Sequence, residues 1–267
     1  MRKSAAIGLP LLLALLMVIW LYSPAPVSDG LSIPSDSEAI ERGRYLVIAG
    51  GCLSCHRKDE NSEEMSGGYA METEFGTFYA ANITPDIETG IGSWSGDDFV
   101  AALKHGRSPD GGFYYPAFPY RAYAGLSDEE VLDIAAYLQS IPAVVNQTAE
   151  PETPWWLNRS LVAGWNKLAD FSQAELETPS DPQQARGAHL ARNLGHCGEC
   201  HTPRGSFGIP DTSQEFAGAT IGDEVIEAID AEALAEWTPE QFELLLFLGI
   251  KPDGEFVGGD MNVVIEH

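Results

Sequence analysis

Two copies of one pentapeptide decide how this chain is read: Cys52-Leu53-Ser54-Cys55-His56 and Cys197-Gly198-Glu199-Cys200-His201. They hold all four cysteines of the 267 residues. Cys-x-x-Cys-His is the attachment pattern of a c-type haem. Two thiols a helical turn apart add across the two vinyl groups of one haem. The histidine that follows lies under the ring and gives a nitrogen to iron. A zinc knuckle and a redox disulfide also use Cys-x-x-Cys. Zinc wants further ligands at finger-like spacing, and none appears. A thioredoxin-type site wants a βαβ setting, and one copy is usual. The pattern therefore predicts two covalently bound haem c groups. Cys52, Cys55 and His56 would hold haem 1, and Cys197, Cys200 and His201 haem 2, with His56 and His201 as proximal ligands.

Working outward, the two halves form a repeat. Cys52 maps to Cys197 at an offset of 145. A second block aligns without gaps at an offset of 143: Trp94 with Trp237, Phe99 with Phe242, Leu103 with Leu246, Gly106 with Gly249, and Pro109-Asp110-Gly111 with Pro252-Asp253-Gly254. Such self-similarity implies two copies of one fold. Each copy begins with a helix that delivers the haem motif. In the first, Ser35 with Glu38 reads as a capping box. In the second, Pro182 suits the first helical turn. Gly43 and Gly187 sit inside these helices, where glycine is costly, so each predicts a close helix crossing. Further helices are expected over about 97–105 and 239–248. Ser127-Asp128-Glu129-Glu130 opens another, with an apolar stripe at Val131, Ile134, Ala135 and Leu138 and a stop at Pro142. Trp155, Trp156 and Trp165 are expected to pack at the domain interface.

The chain opens Met1-Arg2-Lys3 and then runs apolar from Ala5 to Tyr22, about 27 Å of helix. That length approaches a bilayer core, and the leading basic residues would keep the N-terminus cytoplasmic. No small-x-small cleavage site follows, so an uncleaved anchor is favoured over a signal peptide. The expected fold class is therefore all-α, with two tandem class I-like cytochrome c domains after an N-terminal transmembrane helix. The divisions are 1–22 anchor, 23–34 tether, 35–142 domain 1, 143–180 linker and 181–267 domain 2. The expected location is the inner (cytoplasmic) membrane, single-pass, with both haem domains facing the periplasm. The equivalent of Ser127 would fall past His267, so domain 2 is expected to lack its closing helix, through truncation or cover by another subunit. The net charge of −25 excludes nucleic acid as a partner. It suits solubility, or the steering of a basic partner.

Haem iron with a histidine on one side often takes methionine on the other, which suits electron transfer. Met261, in Gly258-Gly259-Asp260-Met261, fits that place on haem 2. The repeat maps Met261 onto position 118, which is phenylalanine. Haem 1 thus has no methionine there. Met65, Met71 and His105 remain as other candidates, Met65 and Met71 early in the unit and His105 on a helix.

Several stretches together resemble the membrane-associated or periplasmic dihaem cytochromes c, which include cytochrome subunits of alcohol and gluconate dehydrogenases. They are Thr77-Phe78-Tyr79 with Asn82-Ile83-Thr84-Pro85-Asp86, Thr89-Gly90-Ile91-Gly92 with Trp94-Ser95, Tyr115-Pro116-Ala117-Phe118-Pro119-Tyr120, Gly195-His196-Cys197 through Cys200-His201-Thr202-Pro203-Arg204, and Phe256-Val257-Gly258-Gly259 before Met261. Relatives in that family carry methionine at the position of Phe118, or a few residues later at the position of Leu126. This chain departs at both. The resemblance implies one-electron transfer without catalysis of its own. Electrons would pass from a dehydrogenase or quinol-oxidising complex to a terminal oxidase or small carrier. The alternative is a dihaem peroxidase-like enzyme using an open haem 1. A haem sensor would need an output domain, which is missing, and a cysteine-ligated thiosulfate-oxidising enzyme would need a spare cysteine.

Overall fold

The computed structural model describes residues 3–22 and 30–266. Met1-Arg2, residues 23–29 of the expected tether, and His267 lie outside them. The first helix, α1 (Lys3–Tyr22), ends against protein. The Tyr22 hydroxyl donates to the Ser160 carbonyl at 2.9 Å, and the Tyr22 and Phe113 rings meet edge-on at 6.0 Å. Trp20 lies 6.2 Å from Phe171, with Lys167 over its face. Among the described residues no helix is long and apolar enough to cross a membrane. This corrects the transmembrane part of the expected fold class, and with it the membrane as a partner through that helix. The aromatic end of the apolar run packs on Phe113 and Phe171.

In the first unit α2 (Ser37–Ala49) is capped by Asp36, whose carboxylate accepts from the Ala39 N–H at 3.0 Å. Ser35 was the expected cap. The aspartate one residue later brings a full negative charge to the positive end of the helix. The motif helix α3 (Cys52–His56) follows. Next come an antiparallel hairpin, β1 (Ala70–Thr73) with β2 (Gly76–Tyr79), then α4 (Gly96–His105) and α5 (Tyr120–Tyr123). Finally α6 (Asp128–Ser140) begins with the expected reciprocal Ser127 and Glu130 box. α2 crosses α6 at Gly43, where a Cβ would overlap the Asp133 carbonyl. A bidentate Arg42–Asp133 pair at 2.6 and 2.8 Å ties the same crossing, with Asp133 buried. Leu46, Val47, Phe99, Val100, Leu126, Val131, Ile134 and Leu138 form the core beneath it.

The linker is partly built into this unit. The Asn146 side chain donates to the Ser66 carbonyl at 2.8 Å, and the Glu152 and Thr77 backbones bond at 2.9 and 3.0 Å. Then α7 (Arg159–Ser172) packs Val162 and Ala163 on Phe113. Trp165 donates to the Phe207 carbonyl at 2.8 Å and so joins the halves as expected. Trp155 and Trp156 do not: the turn closed by Leu157 N–H to the Pro154 carbonyl faces them outward, and Trp155 is 94% exposed. Gly30 and Leu31 N–H groups both donate to the Asp97 carboxylate, which pins the chain entering the unit.

The second unit repeats the plan. α8 (Pro182–His189) is capped by Asp181, with Pro182 in its first turn, and runs on as a π-helical turn, Leu190–Leu194. The motif helix α9 (Gly198–His201) precedes the hairpin β3 (Ala219–Ile221) and β4 (Glu224–Ile226), α10 (Pro239–Leu248) and α11 (Gly259–Glu266). The two hairpins also qualify the all-α expectation. Open space surrounds the Cα of Gly187, so it marks no crossing. No counterpart of α6 covers this side among the described residues, and Leu244, Leu246, Phe247 and Leu248 of α10 are exposed.

Candidate functional site

Both motif helices are entered through a left-handed residue. In the first it is Gly51, at φ +61°, a conformation free of steric cost for glycine. In the second it is His196, at φ +40°, where a side chain costs about 1 kcal/mol. The entries adjoin: a Cβ on Gly50 would touch Leu194 at 3.4 Å. The His196 ring meets Tyr123 edge-on at 5.6 Å.

Each motif histidine is held in one orientation by a backbone carbonyl. His56 Nδ1 donates to Ala81 O at 2.7 Å, and His201 Nδ1 donates to Glu227 O at 2.7 Å. With Nδ1 carrying the proton, Nε2 keeps its lone pair for a metal. This is the usual outer-shell arrangement of a ligating histidine. Burial holds the His56 ring below the ordinary imidazole range, against the pull of the Ala81 carbonyl, so it stays neutral at pH 7. The supporting loops match as well. Gly67 N–H donates to His56 O at 2.9 Å, and Gly218 N–H to His201 O at 2.9 Å. Ile83 N–H donates to Met65 O, and Ile229 N–H to Phe216 O. Met65 and Phe216 are thus structural equivalents, both at positive φ.

The four cysteines form no disulfide. Burial pushes the Cys52 thiol up to about 12, with Cys55 adding to the effect, and burial also raises Cys197. A reactive dithiol needs the opposite shift. Among the described residues no three His, Cys, Asp or Glu side chains gather as a metal cage. One histidine and two thiols per motif fit a metal that brings its own macrocycle. The donor sets therefore suit haem c: Cys52, Cys55 and His56 in one unit, Cys197, Cys200 and His201 in the other.

Met261 stands half-buried on α11, the helix whose Val263 carbonyl accepts from Ser54 Oγ of α3 at 3.4 Å. In the first unit Phe118 packs among Tyr114, Tyr120 and Tyr123, with ring separations of 5.6, 6.2 and 5.8 Å. Leu126 is 2% exposed. Sequence reasoning missed Ala81 and Glu227, because a backbone acceptor has no side-chain signature. It also passed over Tyr123 and His196, which lie between the two motifs.

Residues 40–142 match the cytochrome c family. A diheme cytochrome c-type protein of Cereibacter sphaeroides is 37% identical, over 100% of this chain and 92% of its own length. The chain belongs to the dihaem cytochromes c. This dihaem cytochrome carries two covalently bound haem c groups and transfers electrons. It is also 33% identical to the gluconate 2-dehydrogenase cytochrome c subunit of Pantoea cypripedii, over 95% of this chain and 60% of that one. The cytochrome c subunit of an alcohol dehydrogenase (quinone) from Gluconobacter oxydans is 32% identical, over 86% of this chain and 51% of that one. The dihaem cytochrome thus spans little more than half the length of these dehydrogenase subunits.

Proposed function

We propose that this dihaem cytochrome relays electrons, one at a time, from a dehydrogenase to a downstream acceptor such as a terminal oxidase, on the periplasmic side. Cys52, Cys55 and His56 hold haem 1 in a unit over 35–142. Cys197, Cys200 and His201 hold haem 2 in a unit over 181–267, with Met261 as its second axial ligand and 143–180 as the connection. The haems supply the ferric–ferrous couple. The chain attaches and orients them and shields them from water, which sets the potentials. The single observation that supports these assignments most is the pair of histidine-to-carbonyl bonds, 2.7 Å in each unit. The similarity to gluconate and alcohol dehydrogenase cytochrome subunits supports a dehydrogenase as donor.

The assignments are tested by counting haems. Replacing Cys52 and Cys55 by alanine should leave one covalent haem, and replacing Cys197 and Cys200 should do the same. Retention of both haems in either variant would reject the assignment. The donor is tested by mixing the oxidised cytochrome with a quinone-dependent dehydrogenase and its substrate under stopped flow. Growth of the ferrous haem spectrum is the expected result, and no reduction would reject a dehydrogenase donor.

A further inference from the structure

We propose that electrons pass between the two haems through the ring contact of His196 with Tyr123, which makes both side chains positioning residues for the transfer. The inference rests on the assignment of Cys52 and Cys55 to haem 1 and of Cys197 and Cys200 to haem 2.

The second unit departs from its twin just before its motif. In the first unit α2 ends regularly, with Gly50 N–H donating to the Leu46 carbonyl at 2.8 Å, four residues back. In the second, Gly195 N–H reaches the Leu190 carbonyl at 2.7 Å, five residues back, and Cys197 N–H reaches the Ala191 carbonyl at 2.9 Å. Such π-helical turns are rare and collect at functional sites. The residue that follows the turn and Gly195 is His196, which holds the left-handed conformation that Gly51 holds in the first unit. A side chain there is unfavourable and persists only where its surroundings demand it. Both departures from regular backbone have one result: they set this segment against the first unit. Leu194 is 1% exposed and belongs to the core cluster of that unit. Asn193 lies so close to Gly125 that a Cβ there would overlap its side chain. The His196 ring then stands edge-on to Tyr123, at 5.6 Å between centroids.

Each side of this contact reaches a haem attachment. His196 is joined by a peptide bond to Cys197. Tyr123 lies in the core cluster on which Cys52 packs. Burial raises its phenol well above the ordinary value, and Cys52 and Cys55 add to that ahead of Glu199. Burial holds the His196 imidazole below its ordinary value, against the pull of Glu199 and the Gly50 carbonyl. Both rings are therefore neutral at pH 7, and no proton has to travel with the charge. One electron leaves a ferrous iron and reaches a ferric one. The first becomes ferric, the second ferrous, and no bond forms or breaks. Electrons tunnel more readily through bonded and packed atoms than across gaps, which favours a route of two side chains and one ring-to-ring step. A second link between the halves competes with it. Ser54 Oγ of the first motif helix donates to the Val263 carbonyl of α11, the helix that carries Met261. At 3.4 Å that bond is longer than the usual O–H···O range.

The test uses the full chain carrying both haems. A pyridine haemochrome assay first counts them, and fewer than two per chain rejects the attachment assignment on which the route rests. With two present, a flash-excited cationic ruthenium tris-bipyridine complex delivers one electron to the oxidised protein. The visible bands then follow its redistribution between the haems, a phase whose rate does not depend on protein concentration. His196→Gly keeps the left-handed backbone, as Gly51 does, and should slow that phase several-fold with both midpoint potentials unchanged. Tyr123→Leu, which keeps the place apolar and removes the ring, should slow it similarly. Ser54→Ala should leave it as it is. Absence of the phase in the wild type overturns the proposal, as does an unchanged phase in both His196→Gly and Tyr123→Leu. A slowing accounted for by shifted potentials, or one seen in Ser54→Ala alone, overturns it equally.

Discussion

At Asn82 one buried side chain joins five groups, the Asn146 carbonyl at 3.4 Å being the most distant. Its amide N–H donates to the Val144 carbonyl at 2.7 Å and Thr89 Oγ1 at 3.1 Å, and its carbonyl accepts from Thr84 N–H and Oγ1 at 3.0 and 2.7 Å. The next residue back, Ala81, supplies the carbonyl that orients His56. The equivalent place in the second unit is Ala228, so only the first histidine has this brace. Asn82→Ala leaves buried polar groups unpaired and is expected to cost about 2–3 kcal/mol, read by denaturant unfolding, with a changed haem 1 potential. Glu130 gives a pH-dependent case. Partial burial opposes its ionisation, while the Ser127 N–H and His189 outweigh that and hold the carboxyl below its ordinary 4.5. A depressed carboxylate contributes stability in full above its unfolded pKa and loses it as pH falls through the lower folded value. The wild type should therefore lose more stability on acidification below about pH 4.5 than Glu130→Gln does. Equal acid sensitivity in the two proteins would refute this.

At the scale of elements, the two glycine-bearing helices separate what pattern can and cannot show. Gly43 and Gly187 look alike in sequence, and both read as crossings. Only Gly43 is one, because α6 lies over it and nothing described lies over Gly187. Gly43→Ala is expected to push α2 off α6 and cost about 2–3 kcal/mol. Gly187→Ala should be neutral or gain up to about 1 kcal/mol from helix propensity. Thermal unfolding of the two variants checks both, and a comparable loss in each would contradict the fold. Capping boxes were legible because they are local: Ser127 with Glu130 reaches three residues. The Ser35 cap failed for an equally local reason, since Asp36 competes one position away. The hairpins were hidden by their length, three or four residues per strand.

For the whole molecule, the charge of −25 should govern encounter. Electron exchange with a cationic redox reagent is expected to slow as ionic strength rises from about 0.01 to 0.5 M. Exchange with an anionic reagent should quicken. Stopped-flow traces showing no difference between the reagents would count against electrostatic steering. The pentapeptides by themselves determined the cofactor and its number, because thioether attachment requires particular atoms at a particular short spacing. The repeat likewise determined that the chain is one unit used twice. Only the tertiary structure decided which groups serve those atoms. The carbonyls that orient the two histidines come from 25 and 26 residues further along the chain. The apolar first helix ends on aromatic side chains about 90 and 150 residues away in sequence. That Met65 and Phe216 hold equivalent places in the two units was likewise visible only in the backbone bonds they accept. Local pattern records which atoms a residue owns; where the chain returns, and therefore which partner each atom meets, is set by packing.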